Sequence, residues 1–184
     1  MASADAARAR LCDPAVEVSS HYLIGAEGQI WRLVPEDQRA WHAGVGSWHG
    51  WHDINSRSIG IERDNNGQVP FADPLKAALE PLLTDIMARW SIPASGVIGH
   101  SDMAPGRKHD PGPLFGWSRL AQSGLAVAGG TGPIPDDIKP ETFRAAARAA
   151  GYSADVEHSV LLDAVRLRWR PDGPGPLSVE DFAA

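Results

Sequence analysis

Only one cysteine, Cys12, occurs in the chain, which excludes an intrachain disulfide and leaves the redox compartment open. No basic run is present and the formal net charge is −6, so neither nucleic acid nor an anionic membrane surface is an expected partner. No apolar run approaches the roughly 20 residues that span a bilayer. The first residues lack the basic start and apolar centre of a secretory signal, which favours the cytoplasm. A shortened start would have lost such a signal too, which keeps the periplasm or cell wall open. There is no internal repeat and no low-complexity tract, and no histidine precedes His21.

What is present belongs to a globular chain: 43% hydrophobic and 22% charged residues over 184 positions, enough for one good core and a small appendage. Ser3 caps a short helix through Leu11, with Asp5 in its first turn and Ala4, Ala7 and Leu11 on one face. Cys12 at its end reads as a packed thiol. Ser19 to Ile24 and Gln29 to Val34 are apolar runs flanking Gly25-Ala-Glu-Gly28, which predicts a hairpin. His21 and Tyr22 then face opposite sides of one strand. Ser58 to Glu62 reads as a further strand, with Ile59 and Ile61 on one face and Glu62 on the other. A carboxylate there is costly to bury unless paired or protonated, so Glu62 is either a candidate acid–base group or a strand end that meets water.

The clearest helix runs from Pro74 to Trp90, with Asp73 as N-cap and a stripe of Leu75, Ala78, Leu79, Leu82, Leu83, Ile86, Met87 and Trp90. Residues 45–57 carry Trp48, His49, Trp51 and His52 with few aliphatics. They form either a loop over a groove or a loop pinned by its own tryptophans. Leu114 to Ser123 closes the larger part of the chain as a short helix. Ala126 to Pro140 is a linker by its Gly and Pro content, and two helices follow, Glu141 to Ala150 and Val156 to Trp169, with one more turn at Leu177 to Phe182. The fold class is α/β: a mixed central β-sheet flanked by helices, with a small C-terminal helical appendage.

The segment from Gly99 to Trp117 carries the chemistry. Val97 and Ile98 read as a short buried strand with His100 at its exit. Pro105, Gly106, Pro111, Gly112 and Pro113 forbid regular structure beyond it, and so stiff a loop can return Asp110 to His100. Imidazole and carboxylate together suit Zn²⁺, and Lys108 can point a cation at the same place. The competing reading is a surface loop whose His, Asp and Lys share no task.

In this stretch the chain resembles the second metal motif of the zinc-dependent N-acetylmuramoyl-L-alanine amidases, the family that includes peptidoglycan recognition proteins. Val18-Ser-Ser-His-Tyr-Leu-Ile24, Ala40-Trp-His-Ala-Gly44 and Ser58-Ile-Gly-Ile-Glu62 agree with the same family in order. The resemblance implies Zn²⁺ on His100 and Asp110, catalytic roles for Glu62, Lys108 and Tyr22, and Trp41 and His42 against substrate. It implies hydrolysis of the amide between N-acetylmuramic acid and L-alanine, in peptidoglycan or in recycled muropeptides. It divides the chain into an amidase-like domain over 1–125, a linker over 126–140, and a helical region over 141–184 resembling a peptidoglycan-binding module through Arg166-Leu-Arg-Trp-Arg-Pro171. No family motif falls on His49 and His52.

One departure bears on the metal. The family's first zinc histidine lies on an N-terminal strand ahead of the helix that starts here near Ser3, and this sequence holds no histidine there. Three expectations follow: a longer natural chain supplies that strand, which would also cover a sheet edge; His42 substitutes; or the protein binds muropeptides without cutting them.

Overall fold

Strand β1, Tyr22–Ile24, lies at the centre of a three-stranded mixed sheet of order β2-β1-β3. The computed structural model describes residues 3–130 and 134–182; positions 131–133 of the expected linker lie outside the described residues. The chain forms two compact units, Met1–Val45 with Asp53–Ser91, and Gly46–His52 with Ile92–Ala184.

In the first unit β2, Ile30–Arg32, pairs antiparallel with β1, and β3, Ile61–Arg63, pairs parallel with Leu23 opposite Glu62. The predicted hairpin is present, closed by the Gly25 N–H on the Gln29 carbonyl (2.9 Å). All three residues of β1 are buried, as expected of a central strand covered by helices on the sheet. Helix α1, Ala4–Leu11, packs on it; the Ser3 hydroxyl accepts from the Ala6 N–H (3.2 Å), as the cap predicts. Helix α2, Asp73–Trp90, also packs on β1 and buries Leu75, Leu79, Leu83 and Ile86, the core of the predicted stripe at spacings of four and three.

Three local expectations shift. Ala72, not Asp73, flanks α2, because the Asp73 carboxylate pairs with Lys76 in the first turn (2.7 Å). The strand carrying Glu62 starts at Ile61, three residues later than expected. Ser58 is drawn into the preceding turn by its hydroxyl on the Ile54 carbonyl (2.6 Å), and the Gly60 carbonyl accepts from both His21 and Tyr22. Cys12 is exposed rather than packed, since the chain turns away after Leu11.

The second unit is helical. Short helix α3, His100–Met103, is followed by α4, Trp117–Gln122, then α5, Pro140–Ala150, and α6, His158–Trp169, with a final 3₁₀ turn at Val179–Asp181. Phe143 is the hub of its core and meets Phe182 and His158 edge-on at 5.7 Å. Trp48 joins this core, its ring 5.1 Å from Tyr152, so that tryptophan pins the 46–52 part of the expected loop while Trp51 stays 58% exposed. Arg166 closes the unit by a buried two-pronged bond to Asp181 (2.8 and 2.7 Å). Among the described residues no helix is long and apolar enough to cross a membrane.

Candidate metal centre

The expected strand ahead of His100 is absent. Residues Ala94–Gly96 form a 3₁₀ turn, and Val97 is extended but unpaired with any strand among the described residues. Its carbonyl accepts instead from Arg168 (3.1 Å), which is why no ladder forms. His100 therefore opens a helix rather than ending a strand.

The loop behaves as the prolines suggest. His100 Nδ1 lies 2.5 Å from Asp110 Oδ2, and the Ser101 N–H donates to the Asp110 carbonyl (2.9 Å), so backbone and side chain both tie the two residues. Gly99 makes this approach possible. A β-carbon there would stand 2.5 Å from the Pro111 ring and 3.3 Å from the Asp110 carbonyl. Burial pushes the Asp110 carboxyl up, but the His100 hydrogen bond, the His100 charge and then the Lys108 ammonium outweigh it and hold the group at about 2. Asp110 is thus an anion at neutral pH, and Lys108 acts electrostatically on that place.

As it stands, the imidazole N–H donates to the carboxylate. Once that proton leaves, the same two atoms are a nitrogen and an oxygen donor aimed at one point. This donor set fits Zn²⁺ in kind, but a catalytic zinc usually takes three protein ligands. Among the described residues no group of three or more His, Cys, Asp or Glu side chains gathers to hold a metal, His49 and His52 included.

Glu62, Tyr22, Trp41 and His42 belong to the first unit; His100, Lys108 and Asp110 belong to the second. Glu62 is half-buried on β3. His42 Nε2 lies 3.2 Å from the Ser58 hydroxyl, and its ring meets buried His21 edge-on at 5.8 Å. Asn55 fixes that segment by accepting from the His42 and Ala43 N–H groups (3.1 and 2.8 Å). Trp41 is 56% exposed, with the Arg39 guanidinium 4.4 Å from its ring centre.

Tyr22 is committed locally. Its hydroxyl donates to Glu36 Oε1 (2.5 Å), and Glu36 also accepts from Arg89 Nε and Nη2 (2.9 and 2.8 Å) and from Trp90 Nε1 (2.5 Å). Burial, and then the bond to Glu36, push the Tyr22 phenol up. The Arg89 bond is the main force holding Glu36 at about 2, against burial and with help from Tyr22 and Trp90.

Sequence reasoning missed Glu36, and missed the residues behind His100. Buried Asp102 accepts from the Gly99 N–H (2.7 Å), from Arg168 Nη1 (2.7 Å) and from the Tyr152 hydroxyl (2.6 Å). The available signal was three arginines, 166, 168 and 170, in and just past an otherwise apolar helical run, since cations drawn into a core need anions.

The family profile described as N-acetylmuramoyl-L-alanine amidase matches residues 1–113. The N-acetylmuramoyl-L-alanine amidase AmiD of Escherichia coli strain K12 is 44% identical over 139 residues, 67% of this chain and 50% of that protein. The 1,6-anhydro-N-acetylmuramyl-L-alanine amidase AmpD of Enterobacter cloacae is 41% identical over 103 residues, 56% of this chain and 55% of that protein. The chain thus spans about half the length of these curated relatives. A solved complex of AmiD from E. coli with the substrate anhydro-N-acetylmuramic acid-L-Ala-D-gamma-Glu-L-Lys superposes with a TM-score of 0.86 and 33% identity. That match covers 97% of this chain and 81% of that one.

Proposed function

The chain belongs to the N-acetylmuramoyl-L-alanine amidase family, and on that premise we propose that it hydrolyses the amide joining the lactyl group of N-acetylmuramic acid to L-alanine in muropeptides. The observation that carries this reading is the convergence of His100 Nδ1 and Asp110 Oδ2 to 2.5 Å beside the charge of Lys108, inside the segment matched by the family.

Zn²⁺ would be held from this chain by His100 Nδ1 and Asp110 Oδ2. When bound, it supplies a lowered pKa for a coordinated water and polarises the carbonyl to be attacked. Glu62 takes a proton from the attacking water and returns it to the leaving alanine nitrogen; without that transfer the amine would depart as an unstable anion. The Lys108 ammonium stabilises the negative charge that grows on the former carbonyl oxygen. Tyr22 cannot donate to that oxygen while its proton goes to Glu36. Its phenol oxygen keeps an acceptor lone pair, which suits it to orienting a water or an amide N–H. Trp41 and His42 contribute binding surface for the glycopeptide.

The two-donor set supports a second reading, a protein that binds muropeptides without cutting them. The test is to incubate the chain and Zn²⁺ with an anhydromuramyl tripeptide and follow the freed peptide amine by mass spectrometry. The amidase reading expects cleavage that His100→Ala and Glu62→Gln each lower by about 10²–10⁴-fold. Retention of the intact muropeptide on the zinc-loaded chain, with no peptide released, would establish the binding protein instead.

A further inference from the structure

Helix α3 is four residues long and holds itself by little more than the Ala104 N–H on the His100 carbonyl (2.9 Å). So short a helix has no intrinsic stability, and its direction must come from what surrounds it. Three parts of the second unit converge on it. From one side, Gly46 lies against Met103, where any side chain would collide, and the Ser47 N–H reaches the Met103 carbonyl (2.8 Å). From α5's end, the Tyr152 hydroxyl donates to Asp102 Oδ1 (2.6 Å). From α6, Arg168 donates through Nη1 to Asp102 Oδ2 (2.7 Å) and through Nη2 to the Val97 carbonyl (3.1 Å).

Arg168 therefore grips the chain on both sides of His100, three residues before it and two after. Its side chain is 3% exposed, that of Asp102 is fully buried, and the guanidinium lies 3.8 Å from the Trp117 ring centre. Asp102 passes the grip on, because it also accepts from the N–H of Gly99, the residue that packs on Pro111 next to Asp110. The backbone leading to His100 is thus clamped at Val97 and Gly99 from a helix that itself holds neither of the two converging donors.

We propose that Arg168 and Tyr152 are positioning residues for the His100–Asp110 pair, so that the C-terminal helices set the affinity of the metal site. This rests on the reading of that pair as a zinc site. Arginine fits the task where lysine does not: the planar fork reaches two acceptors and stacks on an indole at once. The role differs from that of Arg166 on the same helix, whose guanidinium bonds to Asp181 and to the Gly175 and Pro176 carbonyls and so closes the C-terminal turn.

The test is zinc affinity of the full chain, measured by competition with a chromogenic chelator, alongside unfolding by urea. Arg168→Lys should weaken zinc by about 10–100-fold, the range for groups that orient a metal's ligands, and Tyr152→Phe should weaken it less. Arg166→Met should lose stability and leave zinc affinity unchanged. Wild-type affinity in folded Arg168→Lys and Tyr152→Phe proteins would overturn the proposal. So would an Arg166→Met loss as large as that of Arg168→Lys, since that would mean general loosening. His100→Ala separates the two claims. If it binds zinc like the parent, or if the parent binds none, the zinc reading falls and takes this one with it. If it abolishes binding while Arg168→Lys does nothing, only the positioning role falls.

Discussion

In each unit of the molecule an arginine–carboxylate pair joins residues more than 50 positions apart, and these two pairs differ in almost everything except length. Arg89 Nη2 lies 2.8 Å from Glu36 Oε1, with the arginine side chain 51% exposed and the glutamate side chain 8% exposed. Arg168 Nη1 lies 2.7 Å from Asp102 Oδ2, with exposures of 3% and 0%. Bond length says little about what such a contact is worth; access to water decides it. If Glu36 is removed, Arg89, already half in water, rehydrates. If Arg168 is removed, the fully buried Asp102 carboxyl keeps only the Tyr152 hydroxyl and the Gly99 N–H as partners.

That contrast can be broken most forcefully at Arg168. Arg168→Met should destabilise the protein by about 3–5 kcal/mol in urea titrations, the usual cost of orphaning one half of a buried pair. A loss no greater than at the Arg89–Glu36 pair would erase the distinction. Glu36→Gln should cost less at neutral pH, about 1.5–3 kcal/mol for hydrogen bonds to a charged group, and its cost should depend on pH. Glu36 titrates at about 2 when folded, below its ordinary 4.5, so its stabilisation is present above pH 4.5 and is lost as pH falls toward 2. Thermal melts across that window should fall more steeply for the parent than for Glu36→Gln; parallel curves would remove Glu36 from the account. Ser3→Ala touches neither network and sets the floor, with a loss of about 0.5–1 kcal/mol from the missing cap.

The parts of this molecule legible in its sequence are those made by neighbours. The α2 stripe shows because helical periodicity repeats every few residues, and the β1–β2 hairpin shows because its glycines stand between two apolar runs. His100 and Asp110 could be paired on paper because ten residues of proline-stiffened chain leave them few places to go. The Val97–Ile98 strand failed for the opposite reason: an apolar pair looks the same whether its backbone meets a strand or a guanidinium 71 residues later. Glu36 sits in a polar run, Glu36-Asp-Gln-Arg39, that reads as solvated loop, and nothing nearby announces Arg89, 53 positions on. The Arg166-Leu-Arg-Trp-Arg-Pro171 stretch stood out, yet its anions are at 102 and 181, and spacing cannot say which arginine takes which.

The distance along the chain between Asp102 and Arg168 also has a temporal side. The ribosome makes the aspartate 66 residues before its arginine, roughly 3–13 s earlier at ordinary rates of translation. Over that interval sheet and α2 residues are all already synthesised, whereas the helix beginning at His100 has no cation to lean on. Assembly of the molecule is therefore staggered, with the helix that begins at His100 the part that must wait for late-made residues before it can set.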